Sequence, residues 1–242
     1  MKIKSKFPAL LAALALLPGL PVCAQAADAT DQTTNTASAG DLTNVLTLAQ
    51  LMTSNNVVTN TVGIVLVKIS PVLWAGKYEA TQDAYQKVMD SNPSAFSGAN
   101  NPVDSVTWSN AIYFCVKLTK KEMASGDLTN GFAYALPTQD QWVRLAGDAT
   151  LDDAITSLPP KKNSSTKPVG SLGANSLGLF DTRGNVMEWC LDPQDQPYRV
   201  ARGGAWDTFA EPSTRVEFRN YSPLDQTANN CGFRVVLEAV AP

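Results

Sequence analysis

Residues 57–69 are rich in β-branched side chains that partly alternate with polar ones, and this period of two predicts a strand. Pro71 and Gly76 break it. The pattern then changes to helical spacing. Thr81 can cap a helix running to Met89, with Ala84, Tyr85 and Val88 turned inward. Residues 91–102 are turn-rich. Thr107 can cap a second helix, in which Trp108, Ala111, Ile112, Cys115 and Leu118 make one apolar stripe. A third begins at Leu136-Pro137-Thr138, where Thr138 and Gln141 have capping-box spacing and Pro137 sits just outside the start. Residues 148–168 are short and rich in Lys, Ser and Pro, which reads as an exposed loop. Near the end, Phe233, Val235 and Leu237 alternate with Arg234, Val236 and Glu238, as in a closing strand.

The N-terminal part has a different character. Lys2, Lys4 and Lys6 precede an apolar run from Pro8 to Val22 and then Ala24-Gln25-Ala26, the layout of a secretory signal cleaved after Ala26. The run is too short and too broken by Pro and Gly to span a membrane. A lipid anchor at Cys23 is the competing reading, and Pro21 and Val22 fit it poorly. The predicted organisation is a signal over 1–26, a spacer over 27–55 and a domain over 56–242. Residues 27–40 are polar and have little to bury. Over residues 41–52, Leu42, Val45, Leu46, Ala49 and Met52 share one helical face, which predicts a short helix that docks on the domain or meets a partner.

Length and a hydrophobic content of 44% suit one cored domain plus a tail. The formal net charge is −3; losing three lysines with the signal leaves 16 basic against 22 acidic residues, or −6. With no basic run or face, a nucleic-acid partner is excluded. Export places the chain in an oxidising compartment, periplasmic or extracellular. There Cys115, Cys190 and Cys231 would form one disulfide and leave one thiol. The chain contains no histidine. That removes Ser-His-Asp and Cys-His arrangements, a histidine-based facial triad for iron, and any group that titrates near neutrality by default.

Three motifs lie close together toward the C terminus: Gly184-Asn185-Val186-Met187-Glu188-Trp189, Arg202-Gly203-Gly204-Ala205-Trp206 and Asn229-Asn230-Cys231-Gly232-Phe233-Arg234. Upstream are Lys77-Tyr78-Glu79-Ala80-Thr81-Gln82, Asn101-Pro102-Val103 with Val106-Thr107-Trp108, and Leu136-Pro137-Thr138 through Trp142. In this order they resemble the formylglycine-generating, or sulfatase-modifying factor, domain family. The resemblance spans roughly Val57 to Glu238. It implies an α+β, C-type-lectin-like fold: short twisted antiparallel strands, two or three helices and much irregular loop.

The resemblance also implies chemistry, and here the chain departs from it. The founding members oxidise cysteine to formylglycine with copper held by a cysteine pair between the RGG and GFR motifs. Residues 205–219 contain no cysteine, and Cys231 falls just before the GFR glycine, so neither copper nor iron is supported. The family binds calcium at the stretch represented by Asn185, Val186 and Glu188, through main-chain carbonyls such as those of Gly184 and Val186 and through the glutamate. The competing reading pairs Glu188 with a buried arginine, Arg202 or Arg234. The family also ties its second helix to the strand near GFR, which implies a Cys115–Cys231 disulfide.

The polar segment after Trp206 forms the ligand-facing surface in lectin-type folds. It offers Trp206, Asp207, Arg215, Arg219, Asn220, Tyr221, Asp225, Asn229 and Asn230 as a surface for a peptide, glycan or small molecule. Two functions remain open. One is an exported, non-catalytic binding module. The other is an exported metal-dependent oxidoreductase of the formylglycine-generating or pyoverdine-maturation type.

Overall fold

The computed structural model describes residues 47–129, 131–193 and 198–240. The expected signal, the Cys23 anchor, the polar spacer and the first part of the 41–52 helix lie outside them. The rest of that helical pattern is found in α1 at Leu48–Ser54, opened by a Thr47–Gln50 capping box. Leu48 and Met52 are buried, so this helix docks on the domain.

Strands β1 (Val57–Thr59), β2 (Val65–Ser70) and β3 (Leu73–Gly76) form an antiparallel meander. Two helices follow, α2 (Gln82–Met89) and α3 (Trp108–Ala124), then β4 (Phe132–Ala135) and α4 (Gln139–Ala146). The C-terminal part supplies β5 (Met187–Pro193), β6 (Tyr198–Arg202), β7 (Asn220–Pro223), β8 (Cys231–Gly232) and β9 (Val236–Ala239). One sheet has the order β1-β2-β3-β9-β4 and the other β7-β6-β5-β8. Strand β9 fills the gap between β3 and β4, closing the first sheet with the end of the chain.

Local chemistry sets the helix starts. The Thr81 hydroxyl accepts from the Ala84 N–H, Thr107 from Asn110, and Thr138 from Gln141, each satisfying a donor that the first turn leaves unpaired. The apolar faces of α2 and α3 meet in the main core. Tyr85 stacks on Phe114 at 5.5 Å, and Phe114 meets Phe233 edge-on at 5.1 Å. Burying large apolar groups such as these contributes roughly 1.5–3 kcal/mol each relative to exposure.

Four expectations need correcting. The 57–69 strand is a hairpin, because Asn60 and Gly63 turn the chain: Asn60 Oδ1 accepts the N–H groups of Val62 and Ile64, and Gly63 has φ +94. The closing strand is found but is shorter than expected: β9 begins at Val236, while Phe233 and Val235 are held before it through their carbonyls, which accept the Ala80 and Gly76 N–H groups. Residues 148–168 are not a plain exposed loop. Ala154, Ile155, Thr156 and Thr166 are buried, and Ile155 bridges Gly184 in parallel. The Lys161 ammonium folds this loop onto itself by donating to the carbonyls of Leu151, Asp152 and Ala154 at 2.7, 3.1 and 3.0 Å. Finally, the implied Cys115–Cys231 disulfide is not formed. Cys115, Cys190 and Cys231 are all buried thiols. Cys115 lies on the buried stripe of α3, and Cys231 is held in β8 opposite Met187 of β5. Burial pushes the thiols of Cys115 and Cys231 up, so both stay protonated.

Candidate functional site

The motifs that stand far apart in sequence converge on one buried polar network. Glu188, on β5, pairs with Gly232 of β8 in register, which brings Arg234 beside it. The Arg234 Nη2 lies 2.7 Å from Glu188 Oε1, and Nε donates to both carboxylate oxygens. The two side chains are 0% and 1% exposed. The remaining Arg234 donors reach the carbonyls of Gly76 and Phe180 at 2.9 and 2.6 Å. Trp142 completes Glu188, its indole N–H donating to Oε2 at 2.8 Å. Of the two arginine partners foreseen for Glu188, Arg234 forms the bridge. Arg202 points elsewhere, to the carbonyls of Val216 and Phe218 and to the side chain of Gln139.

Asn185 lies in the same turn, in the left-handed region at φ +59. Its Nδ2 donates to Glu79 at 2.7 Å, and its Oδ1 accepts the Lys167 N–H at 3.0 Å. Its carbonyl accepts the Trp206 N–H, and the Val186 N–H donates to Glu79 at 3.0 Å. Glu79 therefore belongs to the same network, as does Asp181, which accepts the Gly170 N–H at 2.6 Å. Burial, then the charges of Asp181 and Glu188, push Glu79 well up; Arg234 and the Val186 N–H oppose this. Burial likewise raises Asp181, against the Gly170 N–H and Arg234.

The side-chain oxygens implied as calcium donors in this turn are already engaged. Both Glu188 oxygens and the Asn185 side-chain oxygen are spent on N–H donors, and the guanidinium of Arg234 supplies the positive charge a metal would. Chemically, the network is a buried clamp holding the Lys77–Gln82, Leu136–Trp142, GNVMEW and GFR segments together. Glu79 lies within the Lys77–Gln82 motif, but nothing in the sequence marked it or Asp181 as a member of this network.

A second feature lies against β5, β7 and β8: a groove of about 350 Å³. Met187, Trp189 and Cys231 line its apolar side. Asn220, Ser222 and Asn230 line the polar side, with Tyr221 and Gln226 at the rim. Tyr221 is 53% exposed. Asn230 Oδ1 is buried without a partner.

The residues foreseen as a ligand surface divide among this groove, its supports and two arginines engaged elsewhere. Asn220 and Tyr221 line it. Asn229 is fixed by Trp206, whose indole N–H donates to its carbonyl at 3.0 Å, while the ring packs edge-on against Phe96. Both Asp207 oxygens accept from Asn230 Nδ2 at 3.2 and 3.0 Å. Trp206 and Asp207 thus hold the groove loop. Arg219 turns away to Gln139, and Arg215 forms an exposed pair with Glu211 at 3.0 Å.

Among the described residues, four helices and two short-stranded sheets, with irregular loops carrying the groove, define an α+β domain of the C-type-lectin-like class. Residues 67–239 match the family described as "Sulfatase-modifying factor enzyme 1-like domain", and the chain belongs to that family. It is 28% identical over 194 residues to "Chaperone protein LppX" of Paenibacillus barcinonensis, covering 55% of this chain and 69% of that protein. It is 37% identical over 75 residues to "Inactive C-alpha-formylglycine-generating enzyme 2" of Mus musculus, covering 28% of this chain and 24% of that one. Among solved structures, "Treponema denticola variable protein 1" superimposes with a TM-score of 0.58 at 22% identity, over 69% of this chain and 84% of that one.

Proposed function

We propose that this chain is an exported, non-catalytic binding module of its family, holding a peptide, glycan or small molecule in the groove between β7 and the 226–231 loop. The groove carries the reading: an aromatic and apolar floor, amide and hydroxyl walls, and one buried carbonyl oxygen on Asn230 that lacks a donor. A histidine-free chain with no cysteine in residues 205–219 lacks the family's copper ligands. Relatives named as a chaperone and as an inactive enzyme support binding without oxidation. Glycan and peptide arrays probed with the mature protein test this. At least one probe should bind, and Tyr221→Ala or Asn220→Ala should weaken it about tenfold, the effect of losing one good contact of ~1.4 kcal/mol. Binding that survives both changes rules the groove out.

The oxidoreductase reading has one observation in its favour, since Cys231 lines the groove. Its thiol is pushed up by burial, which opposes nucleophilic or metal-binding use. Copper-dependent oxygen uptake with a cysteine-containing peptide, abolished by Cys231→Ser, would establish it in place of the binding reading.

A further inference from the structure

Beside the groove lies a buried cation whose charge no carboxylate among the described residues answers. Arg199, on β6, stands directly opposite Ser222 of the groove wall and is 7% exposed. Its guanidinium carbon sits 4.5 Å from the centre of the Trp108 ring. Trp108 is itself fixed, its indole N–H donating to the Cys190 carbonyl at 2.8 Å. The guanidinium makes one hydrogen bond, from Nη1 to the Tyr198 carbonyl at 2.9 Å. Nε is buried without a partner, and no carboxylate among the described residues pairs with this arginine.

The other buried arginines differ in how far they are satisfied: the Nε of Arg202 also lacks a partner, but both of its terminal nitrogens are engaged. Arg234 has Glu188, and Arg202 has two carbonyls and an amide oxygen. In Arg199 the edge formed by Nε and Nη2 is left over. That edge presents two parallel N–H donors, the geometry that takes both oxygens of a carboxylate. A buried Nε–H without a partner is costly, and a bound anion would recover the cost. The contact with Trp108 and the bond from Nη1 to the Tyr198 carbonyl restrain the guanidinium, so less freedom is lost on binding.

We propose that the ligand of the groove carries a carboxylate and that Arg199 receives it through Nε and Nη2. The assignment rests on the groove reading above. Asn230 Oδ1, the unpaired acceptor of the same groove, suits a ligand that also brings an N–H, as the end of a peptide does.

The test uses mature protein with isotope-labelled arginine. The Arg199 Nε–H resonance is identified by its loss in Arg199→Lys. It is then followed while N-acetylglycine is added at constant ionic strength, with N-acetylglycinamide and inorganic phosphate in parallel. The carboxylate should give a saturable shift and the neutral amide none. Arg199→Lys keeps the charge but not the fork, and should weaken N-acetylglycine binding about tenfold. Ser222→Glu sets an internal carboxylate opposite Arg199 and should abolish the response with the thermal melt retained, which covers the case of an arginine variant that folds poorly. An equal or larger saturable shift with phosphate overturns the carboxylate assignment, and no saturable shift with either anion overturns the subsite. If Arg199→Lys binds the array ligand as wild type does while Tyr221→Ala does not, the subsite is wrong and the groove stands. If Tyr221→Ala and Asn220→Ala both leave array binding intact, the groove itself is wrong.

Discussion

Glu122 is an acid with no exposure, placed on α3 over the first hairpin. Its oxygens accept the hydroxyls of Thr61 at 3.1 Å and Tyr134 at 2.7 Å, and Asn60 donates to the Tyr134 oxygen at 3.0 Å. Burial pushes its carboxyl up, outweighing those hydrogen bonds, which lower it. An acid whose pKa is raised on folding holds its proton more tightly in the folded state. Its contribution is full below the ordinary carboxylate pKa and is lost as pH rises through the folded value. Glutamine keeps the shape, offers one acceptor and one donor to two hydroxyls that can play either part, and never ionises. Glu122→Gln should therefore be more stable than wild type near about pH 8, by ~1.4 kcal/mol for each tenfold by which folding weakens the acid. The advantage should shrink as pH falls toward ordinary carboxylate values, and urea titrations at several pH values measure this. An advantage that grows with acidity would mean that Glu122 is held charged. Other contacts of this kind were only half legible. The partner of Glu188 could be narrowed to Arg202 or Arg234, but choosing between them needs the β5–β8 register. The part played by Glu79 could not be found at all, since its partners Asn185 and Val186 lie more than a hundred residues away.

Element by element, legibility follows the range of the interactions. The starts of α2, α3 and α4 were readable because each cap is a bond between residues three apart. The strands were not, because a β-branched run does not say where it turns or with what it pairs. Residues 57–69 contain a hairpin, and β8 pairs in parallel with a strand more than forty residues earlier. The capping box of α4 matters beyond its own helix, because this helix carries Trp142 to Glu188 and Gln139 to Arg202. Thr138→Ala removes the Oγ1 acceptor for the Gln141 N–H, and should cost about 1 kcal/mol in chemical denaturation. Its partner variant, Gly184→Ala, should cost more. Gly184 has φ +86, and an added Cβ would lie 2.5 Å from the Ile155 carbonyl oxygen, which is main chain and cannot swing aside. If the two variants are equally stable, Ile155 and the GNV turn are not locked together as the bridge between them implies.

At the scale of the whole molecule, the charge that balances a site can be replaced while the architecture around it stays. The GNVMEW turn is the stretch at which the resemblance implies calcium, yet the charge of Glu188 is balanced from within, by the guanidinium of Arg234 donating to both of its oxygens. A calcium ion would have to displace a buried arginine and leave it unpaired, and removing one member of a buried ion pair costs about 3–5 kcal/mol. Calcium should therefore leave the thermal melt of the protein unchanged, and a chelator should do the same. Arg234→Met should lower stability by roughly that same 3–5 kcal/mol, since Glu188 keeps only the Trp142 indole while Glu79 and Asp181 remain close by. Added calcium then separates two explanations of the loss. Recovery in the variant but not in wild type means that arginine occupies the role of the ion. A calcium-dependent rise in the wild-type melt means that the arginine and a metal coexist, and the internal balance of charge drawn from Glu188 and Arg234 is then wrong.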